Sequence, residues 1–248
     1  MSKISLLVAL IVIARISIAQ DFVQFDKLTH QTTKYTLQYR LLKPKELKEN
    51  QQYPLVLFLH GSGERGNDNV KNLKYITDLF LKEKNRNDFP CYVVVPQCPA
   101  SENWTYPDWY RDPREPTNSV VKLIDSLSNL PHVDKSRIYV AGLSMGGYGT
   151  WYLLTRFPDM FAAAIPICGG GDPNQVANFT HVPIWAFHGS KDDRVDPEES
   201  RKMIEALEKA GARPKYTEYK KTGHVDSWLK AFQEPTLLSW LFSQRLAK

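Results

Sequence analysis

The chain reads as an α/β protein with a mostly parallel sheet, helices on both faces and an antiparallel strand at the N-terminal edge. Three observations predict this. Short β-branched runs alternate with helix-length amphipathic segments. One apolar run, Ile138 to Leu143, passes straight into a glycine-flanked serine and then into a helical pattern. No internal repeat or low-complexity linker divides the chain, and its length suits one α/β core.

Taken in order, Met1-Ser-Lys3 is a short basic start followed by an apolar run from Ile4 to Ala14. That run is too short to span a bilayer and has the length of a signal-peptide core, with Ser17-Ile-Ala19 supplying small residues at a cleavage site. The expected division is therefore a leader at 1–19 and one domain at 20–248. This implies a secreted or periplasmic protein with no stable membrane insertion once the leader is cut. Strands are expected near 34–42, 54–60, 91–96, 136–142, 161–168, 182–188 and 214–220. Helices are expected near 70–84, 117–129, 145–157, 197–210 and 226–245. The segment Thr32 to Leu42 alternates and reads as the antiparallel edge strand. Removal of Lys3 and Arg15 takes the formal charge from +5 to +3, too mild a balance to argue for a nucleic-acid partner.

Gly142-Leu-Ser-Met-Gly146 is a G-x-S-x-G pentapeptide, which holds a serine on a turn so tight that its flanking positions must be small. Ser144 is the candidate nucleophile. A hydrolytic triad on such a turn takes its acid and then its histidine from later in the chain. The predicted strand ending at His188 is followed by a loop holding Asp192, Asp193 and Asp196. Spacing alone does not separate these three, and Asp172 after the preceding strand is a further candidate. His224, after the last predicted strand, is the one histidine beyond that loop. It would take the serine proton and return it to a leaving alcohol. His60 and His188 stand in His-Gly turns and read as structural; His30, His132 and His181 show no ligand spacing, and no metal site or cofactor is read. Met145, the first residue past the nucleophile, offers its amide to a developing oxyanion.

These motifs resemble the α/β-hydrolases of the esterase and lipase type, and among them the lidless carboxylesterases grouped with dienelactone hydrolases, polyhydroxybutyrate depolymerases and feruloyl esterases. The segments carrying the resemblance are His60-Gly-Ser-Gly-Glu-Arg-Gly66, the serine turn, His188-Gly-Ser-Lys-Asp192, and Gly223-His224 with Asp226-Ser-Trp228. The resemblance places the acid on Asp192 and the second oxyanion donor on the Ser62 amide. It implies a serine carboxylesterase acting on small-molecule or polysaccharide-linked esters. The family's final motif often reads Gly-His-Asp-Ser-Trp, whereas this chain carries an extra Val225.

The connection between the strands near Cys168 and Val182 is too short for a helical lid, which favours short or bulky esters over long lipids. The loop Gln97 to Asn118 leaves the sheet edge where open α/β sheets bind ligands, and it carries Trp104, Tyr106, Trp109 and Tyr110. Trp104, Trp109 and Tyr110 are read as a stacking rim for a sugar or phenolic acyl group, with loop anchoring as the equal alternative. Feruloyl or acetyl groups on plant cell-wall polysaccharide follow as candidate substrates. A peptidase, or a non-catalytic carbohydrate-binding module, is the competing reading. Cys91, Cys98 and Cys168 read as buried thiols, and two N-x-[ST] sites begin at Asn103 and Asn178.

Overall fold

The computed structural model of the protein describes residues 22–33, 35–105 and 115–246. The leader read at 1–19 and the aromatics Tyr106, Trp109 and Tyr110 lie outside the described residues. Eight strands form one sheet: β1 Phe25–Gln31, β2 Thr36–Leu42, β3 Tyr53–Leu59, β4 Tyr92–Gln97, β5 Val133–Leu143, β6 Ala163–Ile167, β7 Trp185–Gly189 and β8 Lys215–Tyr219. Their spatial order is β1-β2-β4-β3-β5-β6-β7-β8. Pairing is parallel from β4 to β8 and antiparallel at β1–β2 and β2–β4.

The helices are α1 Thr77–Phe80, α2 Glu83–Asp88, α3 Glu115–Ser128, α4 Met145–Arg156, α5 Glu198–Lys209, α6 His224–Ala231 and α7 Leu237–Ser243. Successive side chains of a strand point to opposite faces, so a strand covered on both sides reads as a continuous apolar run. β3 shows this. Leu55, Leu57 and Leu59 enter a core with Trp104, Val120 and Leu123 of α3, Trp151 of α4 and Met203 of α5. Val56 and Phe58 enter a second core with Phe80, Trp228 of α6 and Leu237 and Leu241 of α7.

The structure corrects three boundaries. The outermost strand is β1, so the alternating segment at 36–42 is the second strand in rather than the edge. β1 escapes sequence reading because only Phe25 is fully buried; Asp26, Lys27, Thr29 and Gln31 are exposed, so no apolar alternation exists. The expected helix at 70–84 is broken into a 3-10 turn, Lys71–Leu73, and the short α1, with α2 starting at Glu83. The expected helix at 226–245 starts earlier and divides at Gln233-Glu-Pro235, where proline offers no amide to continue the ladder.

The parallel arrangement brings the C-terminal ends of β3, β5, β7 and β8 to one edge of the sheet. Leu57 lies in the middle of β3 with no exposed surface. Leu57→Ala is expected to cost about 2–5 kcal/mol of unfolding free energy through lost burial and a residual cavity. Guanidinium denaturation followed by circular dichroism checks this.

Candidate active site

Ser144 joins β5 to α4 with φ 54° and ψ −117°, a backbone conformation few non-glycine residues adopt. Its amide donates to Ile167 O at 2.9 Å, which ties the turn to β6. The glycines of the pentapeptide are there for space. A Cβ on Gly142 would stand 2.2 Å from Gly146 O, and one on Gly146 would stand 1.9 Å from Leu59 O. The helix start is thereby pressed onto the end of β3, and the serine hydroxyl is turned outward.

His224 opens α6, and its Nε2 lies 2.9 Å from Ser144 Oγ while Nδ1 lies 2.6 Å from Asp192 Oδ2. Of the four carboxylates left open by spacing, only Asp192 meets the histidine. Asp193 projects into solvent, Asp196 Oδ1 accepts the Glu198 amide, and Asp172 Oδ1 accepts the Asn174 amide. The Asp192 side chain is fully buried. Burial alone would raise its pKa, but the amides of Val195 and Arg194 at 3.0 and 2.9 Å on Oδ1, together with His224, hold it below the ordinary carboxylate value. The extra Val225 is accommodated because α6 begins at the histidine. Trp228, one helical turn on, packs edge-on against the imidazole at 4.9 Å, while Val225 faces solvent.

The loop after β3 approaches the serine closely. A Cβ on Gly61 would lie 3.6 Å from Ser144 Cβ, and Ser62 begins the 3-10 turn Ser62–Glu64. Met145 is the first residue of α4, so its amide is one of those a helix leaves without an intrahelical acceptor. Both expected oxyanion donors thus belong to backbone bordering Ser144.

His60 braces this loop. It is buried; its Nε2 accepts the Cys98 amide at 2.9 Å, leaving Nδ1–H for Gly61 O at 2.7 Å. Trp104 is no surface rim residue. Its indole is wholly buried, donates to His60 O at 3.0 Å and packs edge-on against the His60 ring. The indole gains more by closing the core over this carbonyl than it would by standing in water. Trp109 and Tyr110 lie outside the described residues.

Three supporting residues had no signal in the sequence. Glu64 is buried within the glycine loop, and burial pushes its carboxyl up. Gln97 donates to Glu64 O at 3.1 Å and accepts the Asn69 amide at 2.6 Å, so β4 fastens the loop from beneath. Asn69, at φ 53°, donates to Tyr39 O and Leu28 O, linking the same network to β1 and β2.

All three cysteines are buried, and none forms a disulfide. The Cys168 sulfur, the His188 imidazole and the Asp192 carboxylate lie within 4.8 Å of one another. His188 and Asp192 already spend their polar atoms on hydrogen bonds, and burial raises the thiol pKa, so the cluster does not present the deprotonated ligand set a cation needs.

A serine on a strand-to-helix turn, with the acid from the loop after β7 and the histidine from the helix after β8 of a mostly parallel sheet, defines an α/β-hydrolase. The dienelactone hydrolase family model matches residues 101–229, and the chain belongs to that family. A crystal structure of a thermostable esterase is 36% identical with a TM-score of 0.86, covering 91% of this chain and 64% of its own. Poly(3-hydroxyalkanoate) depolymerase C of Paucimonas lemoignei is 31% identical over 47% of this chain. A bifunctional acetylxylan esterase/xylanase of Neocallimastix patriciarum is 28% identical over 56% of it. The matched regions amount to 28% and 19% of those two proteins' lengths.

Burial lowers the His60 pKa from 6.5 to about 4, so the folded protein holds this ring neutral where the unfolded chain protonates it. Stability is whole above about pH 6.5 and falls as pH drops towards 4, by about 3 kcal/mol in total. His188, whose pKa is also lowered by burial, adds to the same slope. His60→Gln, which keeps a polar head without a titrating proton, is expected to flatten the slope of unfolding free energy between pH 6.5 and 4, measured in urea.

Proposed function

We propose that this protein is a serine carboxylesterase working through an acyl-enzyme. The observation that carries the reading is the continuous hydrogen-bonded line from Ser144 Oγ through His224 to Asp192, at 2.9 and 2.6 Å. In this reading His224 Nε2 takes the Ser144 proton as Oγ adds to the ester carbonyl. The amides of Met145 and Ser62 receive the oxyanion, a preorganised electrostatic contribution that costs no rearrangement during the reaction. His224 then delivers the proton to the departing alcohol oxygen, and Asp192 stabilises the transient imidazolium. Water, activated by the same imidazole, adds to the acyl-enzyme and releases the carboxylic acid.

Short or bulky acyl groups on an exposed alcohol are the proposed substrates, acetyl or feruloyl esters of plant cell-wall polysaccharide among them. Between Ile167 and Trp185 the chain carries one 3-10 turn, Pro173–Phe179, and no inserted helical cap to bury a long acyl chain. The acetylxylan esterase relative supports the acetyl form. The basic start and apolar run of residues 1–19 support export, and among the described residues no helix is long and apolar enough to cross a membrane.

p-Nitrophenyl acetate hydrolysis should fall by about 10⁴-fold or more in Ser144→Ala, and by a similar factor in Asp192→Asn, which would hold His224 in the wrong tautomer. Acetylated xylan and methyl ferulate, compared by kcat/KM, then separate the acyl groups. Turnover of peptide anilides with inert esters would overturn the esterase reading in favour of a peptidase.

A further inference from the structure

His188 is the next-to-last residue of β7, four residues before the candidate acid, and both side chains are fully buried. Its Nε2 donates to Val195 O at 3.1 Å and stands 3.2 Å from Asp192 Oδ2, the oxygen that meets His224. Its Nδ1 lies 2.7 Å from Ser200 Oγ on α5, which also reaches Gly169 O at 2.9 Å. Burial keeps the ring neutral, so it has one proton to place. Val195 O and Asp192 Oδ2 are both acceptors, so that proton sits on Nε2, and Nδ1 and Gly169 O share the single Ser200 hydroxyl proton as acceptors.

The contact does two things at once. Val195 is the residue whose amide donates to Asp192 Oδ1, so fixing its carbonyl fixes the turn that cups the carboxylate. The positive end of the Nε2–H dipole also lies against Oδ2, leaving that oxygen's free side for His224 Nδ1. Asp192 is therefore held between two imidazoles and two backbone amides, and a carboxylate gripped in this way neither rotates nor attracts a proton easily.

We propose that His188 is a positioning residue for the reaction: it braces the Asp192–Val195 turn and tempers the carboxylate, so that Asp192 orients His224 without becoming its proton acceptor. The inference rests on the triad reading above and adds a fourth side chain to it. The other titratable groups facing this pair are Cys168 at the end of β6, Tyr148 on α4, and Glu218 on β8.

Three variants of the full chain test it. His188→Gln carries an amide N–H near the Nε2 position, whereas His188→Leu carries no donor; His188→Asn, whose amide reaches only the Nδ1 position, replaces Leu should that variant fail to fold. Ser200→Ala removes a partner of His188 but not the Asp192 contact, because Nε2 still faces two acceptors. Removing the donor leaves more of the carboxylate's charge for the imidazolium. The Leu or Asn variant should therefore shift its acidic limb of kcat/KM against pH upward, and loss of the brace on the Asp192–Val195 turn should cost it about tenfold in kcat with KM little changed, the rate equivalent of one hydrogen bond to a charged group. His188→Gln should restore both, and Ser200→Ala should lower the melting temperature without moving the limb.

An acidic limb that stays in place in the Leu or Asn variant, or a folded Gln variant that rescues nothing, overturns the proposal. The His224 Nδ1 proton, followed by NMR in the resting protein, supplies a readout that needs no turnover. It should persist in wild type and His188→Gln and broaden by exchange with water in His188→Leu. Wild-type inactivity towards esters would defeat the esterase reading, while this proton would still decide the role of His188.

Discussion

The close approach of backbone to backbone at the Ser144 turn is the constraint on which the rest of the site depends. With hydrogen in place of Cβ at Gly146, the start of α4 packs directly on the carbonyl of Leu59, so the ends of β3 and β5 share one small volume. That single contact sets where the serine hydroxyl emerges and how near the Gly61-Ser62 backbone lies to it. The positive φ at Ser144 is affordable only because the surrounding sheet over-determines it, with the Ile167 carbonyl fixing the serine amide from the next strand.

Around this turn, polar groups are buried in number, and what decides their effect is whether each finds a partner. Asp192 remains ionised out of water because two amides and an imidazole replace its hydration. His60 serves the opposite need: it stays neutral, and its two nitrogens join the Cys98 amide of one loop to the Gly61 carbonyl of another. Gln97 and Asn69 extend the same accounting outward to the antiparallel strands. The loop beside the serine is therefore held by buried hydrogen bonds that would each cost free energy if broken, rather than by its own conformational preference. Preorganisation of this kind is what a site needs if its amides are to stabilise charge without first reorienting.

Much of this was legible in the sequence because the parallel strands are apolar on both faces and the serine turn demands glycine. Ser144, Asp192 and His224 stand in the chain order of a hydrolase triad, and the structure brings their side chains into contact. Residues whose roles depend on tertiary partners were not legible. Trp104 has the composition of a stacking rim and the environment of a core residue, since its indole N–H finds the His60 carbonyl inside the protein. Glu64, Gln97 and Asn69 look like surface polar residues until the fold encloses them. β1 is hidden for the opposite reason: it pairs through its backbone while most of its side chains face water, and periodicity records only burial.

The three thiols carry a consequence of their own. Cys91 precedes β4, Cys98 follows its end, and Cys168 sits beside the acid, all enclosed and none in a disulfide. Burial pushes the Cys91 thiol up to about 12 and raises that of Cys168 as well, so in the folded protein neither offers the thiolate that attacks alkylating reagents and disulfides. Cys91 and Cys168 can therefore meet an oxidising medium without a disulfide and stay chemically silent. The rate at which a maleimide finds them becomes a clock for the opening of the sheet itself.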